Sequence, residues 1–163
     1  MNEERFWAMV EHAWSQVAPE VQTARQKLLS GKVTDADVKH LHQALDPVLI
    51  AYEDQIDYLS KQELIDLDRI VERKLYDIDR ADVHRHHGGP IERFIFARSF
   101  MVLAGKDYYD AVNNNAERVV PKLESEGMSQ SARVYYFHKH DEEMPASDIS
   151  RDTRSNQSGW NGK

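Results

Sequence analysis

Apolar residues recur at helical spacing in the first part of the chain. They fall every three or four positions over residues 6–17 and again over residues 21–29, a pattern typical of two amphipathic helices. Asn2 is placed to cap the first helix, and Pro19 either ends it or opens the second. Gly31 suits the left-handed conformation that ends a helix. The pattern therefore predicts two short helices.

Two longer helices are predicted by capping boxes. Thr34 and Asp37 form the first box, before an apolar stripe that continues to residue 59. Pro47 lies inside this stripe and should kink the helix near residue 45. Ser60 and Glu63 form the second box, before a stripe that continues to residue 78. The charged residues of this second helix are expected to face solvent: Asp66, Asp68, Arg69, Glu72, Arg73 and Lys74.

The segment from Ile91 to Val112 is apolar on every side. Its aromatic and aliphatic residues do not keep to one face, which indicates a helix at the centre of the fold. Residues 88–90, Gly-Gly-Pro, form the turn before it. Gly105 lies in its interior, where glycine costs up to ~1 kcal/mol relative to alanine. A second backbone is therefore expected to pack closely against Gly105.

The last part of the chain has weaker patterns. Residues 134–137, Val-Tyr-Tyr-Phe, form the one strand-like run. Residues 147–163 are polar, but Trp160 is an unusual side chain to leave in solvent, so this extension is expected to dock on a helical domain of residues 1–146. The predicted fold class is mainly α, a single compact domain of five or six helices with a central apolar helix, a C-terminal strap and little or no β structure.

Composition narrows the classes of protein. The 163 residues include no cysteine, which excludes disulfides, thiolate metal sites and thiol nucleophiles. No apolar run approaches the roughly 18 residues of a membrane span and the N-terminus is acidic, so a cytoplasmic protein without membrane contact is expected. The net charge of -7 disfavours duplex nucleic acid as a partner. An acidic body suits a basic protein partner, although many cytosolic proteins are acidic without one.

Histidines and carboxylates cluster before the Gly-Gly turn. Four side chains could share one helix face: Asp79, Asp82, His86 and His87. Imidazole with carboxylate is a ligand set for zinc or manganese, so a divalent metal is the one cofactor that the sequence suggests. His84, His86 and His87 also stand where the charged helix stops, and the helix dipole favours cations there. A metal site and a helix cap both remain open.

Arg98 lies inside the apolar helix, where an unpaired cation would cost several kcal/mol. It therefore needs a partner, either an internal carboxylate such as Asp79 or Asp82, or an anionic ligand held by the guanidinium. Arg93 borders the same helix. Tyr108, also a binding candidate, has the pattern of a core residue whose hydroxyl reaches the surface.

The chain carries four recognisable segments: FWAMVEHAW, LSKQELIDLDRIVERKLYDIDRADVH, FIFARSFMVLAGKDYYDAV and ISRDTRSNQSGW. Together they resemble the bacterial family known as domain of unknown function 4240, and the similarity extends over nearly the whole chain. The resemblance implies an α-helical domain with no established activity, and a docked strap that includes Ser155, Asn156 and Trp160. The turn HHGGPIERF departs from that family, which carries acidic residues there, so no role of those acids carries over.

Three hypotheses of function follow. The first is a protein-binding module, most concretely an immunity or antitoxin-like protein that neutralises a basic toxin. The second is a small metal- or anion-binding enzyme around the Gly88-Gly89 turn, although no P-loop, nucleophile elbow or His-Glu-x-x-His pair occurs. The third is a self-associating structural protein. The candidate binding residues are Asp79, Asp82, Arg93, Arg98, Tyr108, Arg151, Asn156 and Trp160, and the candidate metal ligands are His84, His86 and His87.

Overall fold

A computed structural model describes residues 1–161, and the regular structure in that range is entirely helical. The prediction of a mainly α, single compact domain is confirmed. Two 3-10 turns, Ile91–Arg93 and Ala116–Arg118, accompany nine α-helices. These are α1 (Glu3–Ser15), α2 (Pro19–Ser30), α3 (Asp35–Ile56), α4 (Lys61–Asp77), α5 (Ala81–His87), α6 (Phe94–Leu103), α7 (Lys106–Asn114), α8 (Ser131–His140) and α9 (Gln157–Trp160).

The predicted helix ends are confirmed where the signals are local. Asn2 accepts a hydrogen bond from the first turn of α1, and Gly31 ends α2 with a φ of 66°. Exposed Pro47 lies within α3, which continues through it as one helix of 22 residues. Both capping boxes form as predicted, Thr34 with Asp37 and Ser60 with Glu63.

The prediction of one continuous helix from Ile91 to Val112 is wrong. Its apolar part, α6, is buried at the centre, as expected, but the chain breaks at Gly105 before α7. Gly105 has a φ of +106°, and a Cβ there would collide with the Arg25 guanidinium and the Glu11 carboxylate. Side chains, rather than the expected second backbone, therefore approach this glycine. Arg25 also donates to the Ala104 carbonyl at 2.8 Å, which helps to satisfy the end of α6.

The strand-like run at residues 134–137 is helical. It lies in α8, where Ala132 and Tyr136 face the interior four residues apart while Val134 and Phe137 are exposed. Burial at that spacing is helical, so tertiary contacts override the β propensity of the run. The charged helix also ends earlier than predicted, because α4 stops at Asp77 and α5 is separate. These differences raise the number of helices above the predicted five or six.

The packing of the helices places the C-terminal region against α4 and α6. α1 and α2 lie against α3, while α4 lies between α6 and α8. Of the predicted extension, residues 147–161 are described and form the strap, while residues 162 and 163 lie outside the described residues. No helix in the described range is both long and apolar enough to cross a membrane.

Candidate functional site

The strap docks on a buried arginine. Arg98 has no exposed surface, and its Nη1 donates to the Leu75 carbonyl at 2.9 Å. Its Nη2 donates to the Arg151 carbonyl at 3.0 Å and to Thr153 Oγ1 at 3.2 Å. Burial lowers the pKa of the Arg98 guanidinium to about 10, which leaves it protonated at neutral pH. Strap atoms therefore bind Nη2 and a body carbonyl binds Nη1, whereas Nε has no hydrogen-bond partner among the described residues.

Asp79 is the carboxylate that accompanies Arg98. Asp79 Oδ1 lies 3.9 Å from Arg98 Nη1, so the predicted pairing is present at long range. The closer contacts of Asp79 are to the strap: the backbone N–H of Arg154 at 3.1 Å, that of Asn156 at 3.1 Å and Trp160 Nε1 at 2.9 Å. Asp79 and Arg98 thus form a junction at which the body of the protein holds its own C-terminal segment.

Asn156 and Trp160 shape the end of the strap. Asn156 Nδ2 donates to the Tyr76 carbonyl at 3.0 Å, and its Oδ1 accepts from the Gly159 backbone at 3.2 Å, which caps α9. The Trp160 ring lies 5.7 Å from His84 and 6.0 Å from Phe94, between ring centroids. The strap residues expected to dock are therefore together, and their contacts are with the protein itself.

A second polar cluster lies beneath the strap and was not anticipated from the sequence. Asp68 and Glu72, expected on an exposed face, are each only 1% exposed. Arg151 Nη2 lies 2.7 Å from Asp68 Oδ1 and 2.8 Å from Glu72 Oε1. Arg133 contacts the same two carboxylates from α8. A signal was present, because Asp68 and Glu72 share the helical face of Leu64 and Leu75.

Electrostatic balance explains why these acids are tolerated inside the protein. Burial alone raises the pKa of the Glu72 carboxyl, but hydrogen bonds from Arg151 and Ser147 outweigh burial and hold the pKa below its usual value. Arg69, which lies one turn before Glu72 in α4, also pairs with Glu72 at 3.0 Å. This cluster therefore joins α4, α8 and the strap by charge-assisted hydrogen bonds.

The three candidate histidine ligands are not brought together. His84 Nε2 lies 3.0 Å from the Gly89 carbonyl, His87 Nε2 lies 3.3 Å from Glu124 Oε1, and His86 is exposed. Burial lowers the pKa of the His87 imidazole, despite an opposing effect of Glu124. Within residues 1–161, no three His, Asp or Glu side chains are grouped so that they could hold a metal ion.

The remaining candidates lie apart from the strap junction. Asp82 pairs with Arg80 at 3.0 Å near the surface. Arg93 donates to Glu124 at 2.7 Å, beside the buried His87. Tyr108 donates to the Arg118 carbonyl at 3.2 Å, and burial raises the pKa of its hydroxyl. The Tyr108 hydroxyl is therefore bound within the protein, as expected of a core residue.

A different surface combines exposed apolar groups with unpaired acids. We call it the α3 surface, and it consists of Asp46, Ile50, Asp54, Asp57 and Tyr58, which recur at helical spacing along and just after α3. Ile50 is 59% exposed and Tyr58 is 88% exposed. The three carboxylates make no ion pair with any described residue.

α8 extends this surface. It lies beside α3, because Ser131 Oγ donates to Glu53 Oε1 at 2.6 Å and Lys139 Nζ donates to the Leu59 carbonyl at 3.1 Å. Val134 and Phe137 project from α8 with 46% and 45% of their surface exposed. Two neighbouring helices thus present large apolar side chains to solvent.

A groove borders the α3 surface on the side of α1. It is open, has a volume of about 410 Å³, and is lined by His12, Gln16, Ala51, Asp54, Gln55 and Tyr58. Asp54 and Tyr58 belong to both the groove and the α3 surface.

Comparison with known proteins assigns no relative. No protein-family model, no curated protein and no solved structure matches this chain. The resemblance to domain of unknown function 4240 therefore stays a prediction based on the sequence segments.

Proposed function

We propose that this protein is a protein-binding module whose partner is a basic protein, bound through the α3 surface. An immunity or antitoxin-like protein that neutralises a basic toxin is the most concrete form of this proposal. The observation that carries it is the exposure of Ile50 and Tyr58 among Asp46, Asp54 and Asp57, none of which has an ion-pair partner in the described range.

The contrast between buried and surface carboxylates supports this proposal. Asp68 and Glu72 are paired with arginines from α4, α8 and the strap, so the fold neutralises the acids that it buries. The acids of the α3 surface lie around apolar side chains and make no ion pair within the described residues, although the Lys139 ammonium binds the Asp57 backbone carbonyl. Exposed aromatic and aliphatic groups supply the area that a partner can bury, and unpaired charges supply selectivity.

The overall charge supports the same class of partner. A net charge of -7 attracts basic proteins over long range and accelerates their encounter with an acidic surface. This attraction weakens at high salt, because the Debye length falls to about 3 Å at 1 M ionic strength. Capture of the partner should therefore be more efficient at low salt than at high salt.

Charge reversal at two sites distinguishes binding through the α3 surface from nonspecific attraction to an acidic protein. The test variant carries Asp46→Lys, Asp54→Lys and Asp57→Lys. The control carries Glu92→Lys, Glu143→Lys and Asp148→Lys, three exposed acids that also make no ion pair within residues 1–161 and give the same change in net charge. Each protein is immobilised, and basic proteins retained from a lysate of the source organism are quantified by mass spectrometry.

We expect wild type and control to retain the same basic protein, and the α3 variant to retain at least about tenfold less, equivalent to ~1.4 kcal/mol. Equal retention by all three proteins, or equal loss from both variants, would contradict the proposal. Sedimentation of the wild type alone tests the self-associating alternative. A dimer that only the α3 variant disrupts would assign the surface to self-association instead.

A further inference from the structure

The groove between α1 and α3 is rich in hydrogen-bond acceptors. Gln55 Nε2 donates to the Met9 carbonyl at 3.0 Å and to the Ala51 carbonyl at 3.0 Å. These two carbonyls fix the orientation of the amide, because only its nitrogen can face both of them. The Gln55 side-chain oxygen is left to accept from a ligand.

Gln16 is arranged in a similar way. Its Nε2 donates to Ser15 Oγ at 3.0 Å, which leaves its side-chain oxygen as an acceptor at the other wall of the groove. Asp54 adds a carboxylate that is not paired with any cation in the part of the chain that the structure describes. No lysine or arginine lines the groove.

Tyr58 supplies an aromatic face at the rim. It follows the C-terminal end of α3, and its 88% exposure leaves both the ring and the hydroxyl accessible. A cation above an aromatic ring is attracted to its negative face, and planar guanidinium groups also stack on it. The groove thus offers a carboxylate, two amide oxygens and an aromatic ring to one occupant, beside the imidazole of His12.

We propose that this groove binds an arginine side chain of the basic partner. Guanidinium has five N–H donors and no acceptor, which complements the acceptors of Asp54, Gln16 and Gln55. Its planar shape also suits the exposed Tyr58 ring. A lysine ammonium has three donors around a point charge and stacks less well, so arginine is the preferred residue. This inference rests on the proposed function and names the chemistry of the contact.

Short synthetic peptides test the preference directly. The probe is a blocked Gly-Ser-Gly-Arg-Gly-Ser-Gly peptide, compared with two peptides in which lysine or citrulline replaces arginine. Backbone amide shifts of the isotope-labelled full-length protein are followed by NMR during titration. We expect saturable shifts at Gln16, Asp54 and Tyr58 with the arginine peptide, and affinity weaker by at least about fivefold for the other two peptides.

Variants of the groove complete the test. Asp54→Asn and Tyr58→Ala, both at exposed positions, should each weaken binding of the arginine peptide by about threefold or more. Asp35→Asn is the matched control, an exposed acid on the same helix but outside both the groove lining and the α3 surface, and should change the affinity little. Equal binding of arginine and lysine peptides, shifts located elsewhere, or insensitivity to Asp54→Asn would overturn the inference.

The two proposals fail in distinguishable ways. A basic protein that is lost on charge reversal of the α3 surface but retained by Asp54→Asn and Tyr58→Ala would keep the proposed function and overturn the arginine groove. Arginine-selective binding in the groove, without any basic protein retained through the α3 surface, would support the groove and overturn the proposed function.

Discussion

Asp79 is the residue through which the body holds the strap. Its carboxylate accepts hydrogen bonds from the strap backbone and from Trp160, and it is the nearest anion to the buried Arg98. An asparagine at this position would carry no negative charge, and its side-chain nitrogen would face groups that are themselves hydrogen-bond donors. Asp79 is therefore important for stability as well as for the position of the strap.

Asp79→Asn is expected to lower the free energy of unfolding by about 3–5 kcal/mol, because a buried cation loses its partner. Urea denaturation followed by circular dichroism measures this loss. Asp82→Asn is the control, since Asp82 pairs with Arg80 nearer the surface and should cost about 1 kcal/mol or less. Similar losses for both variants would show that Asp79 has no special role in holding the strap.

We expect His87 to make the free energy of unfolding depend on pH. Burial lowers the pKa of His87 in the folded protein, while Glu124 and His84 are the titratable groups that face it. The unfolded chain, with a histidine pKa of about 6.5, then binds more protons than the folded chain at mildly acidic pH. The stabilising contribution of neutral His87 is present above this unfolded-state pKa and decreases as the pH falls below it.

Lowering the pH from about 7.5 to about 5.5 should therefore reduce the free energy of unfolding of the wild type more than that of His87→Gln. Urea denaturation at both values checks this. His86→Gln, at an exposed neighbouring position, should show no such shift. A pH dependence that is identical in wild type and His87→Gln would exclude His87 as its source.

At the scale of helices, local signals were sufficient to place most ends. The caps at Asn2, Thr34 and Ser60 depend on residues within one turn, so the sequence predicted them. The break at Gly105 depends on Arg25 and Glu11, which the fold brings from α2 and α1. Burial of Asp68 likewise depends on Arg151, 83 positions away. Local periodicity places Asp68 on the face of Leu64 and Leu75, but it does not identify Arg151 as its partner.

Gly105 offers a test of that break between α6 and α7. Gly105→Ala combines a positive φ of 106° with a collision against the Arg25 guanidinium. Gly88→Ala is the matched control, because Gly88 also has a positive φ, 72°, but no atom within 4 Å of an added Cβ. We expect a cost of about 1–2 kcal/mol for Gly88→Ala and a clearly larger one for Gly105→Ala, measured by thermal unfolding. Equal melting temperatures of the two variants would contradict this explanation of the break.

At the scale of the whole molecule, the buried acids and the acids of the α3 surface have different surroundings. Buried acids are neutralised by arginines and by the strap, which stabilises the fold, whereas the acids of the α3 surface surround exposed apolar groups. Only part of this division is visible in the sequence, because Asp54 and Asp68 both occur in helices at comparable spacing from apolar residues. The positions of α8 and the strap decide which acids are buried.

The most direct test of the account is to locate the contact with a retained basic partner by hydrogen exchange of the complex. The account predicts slower exchange in residues 46–58 on binding, with little change in the strap. Protection confined to the strap or to other helices, with residues 46–58 exchanging as in the free protein, would contradict the assignment of the α3 surface as the binding site.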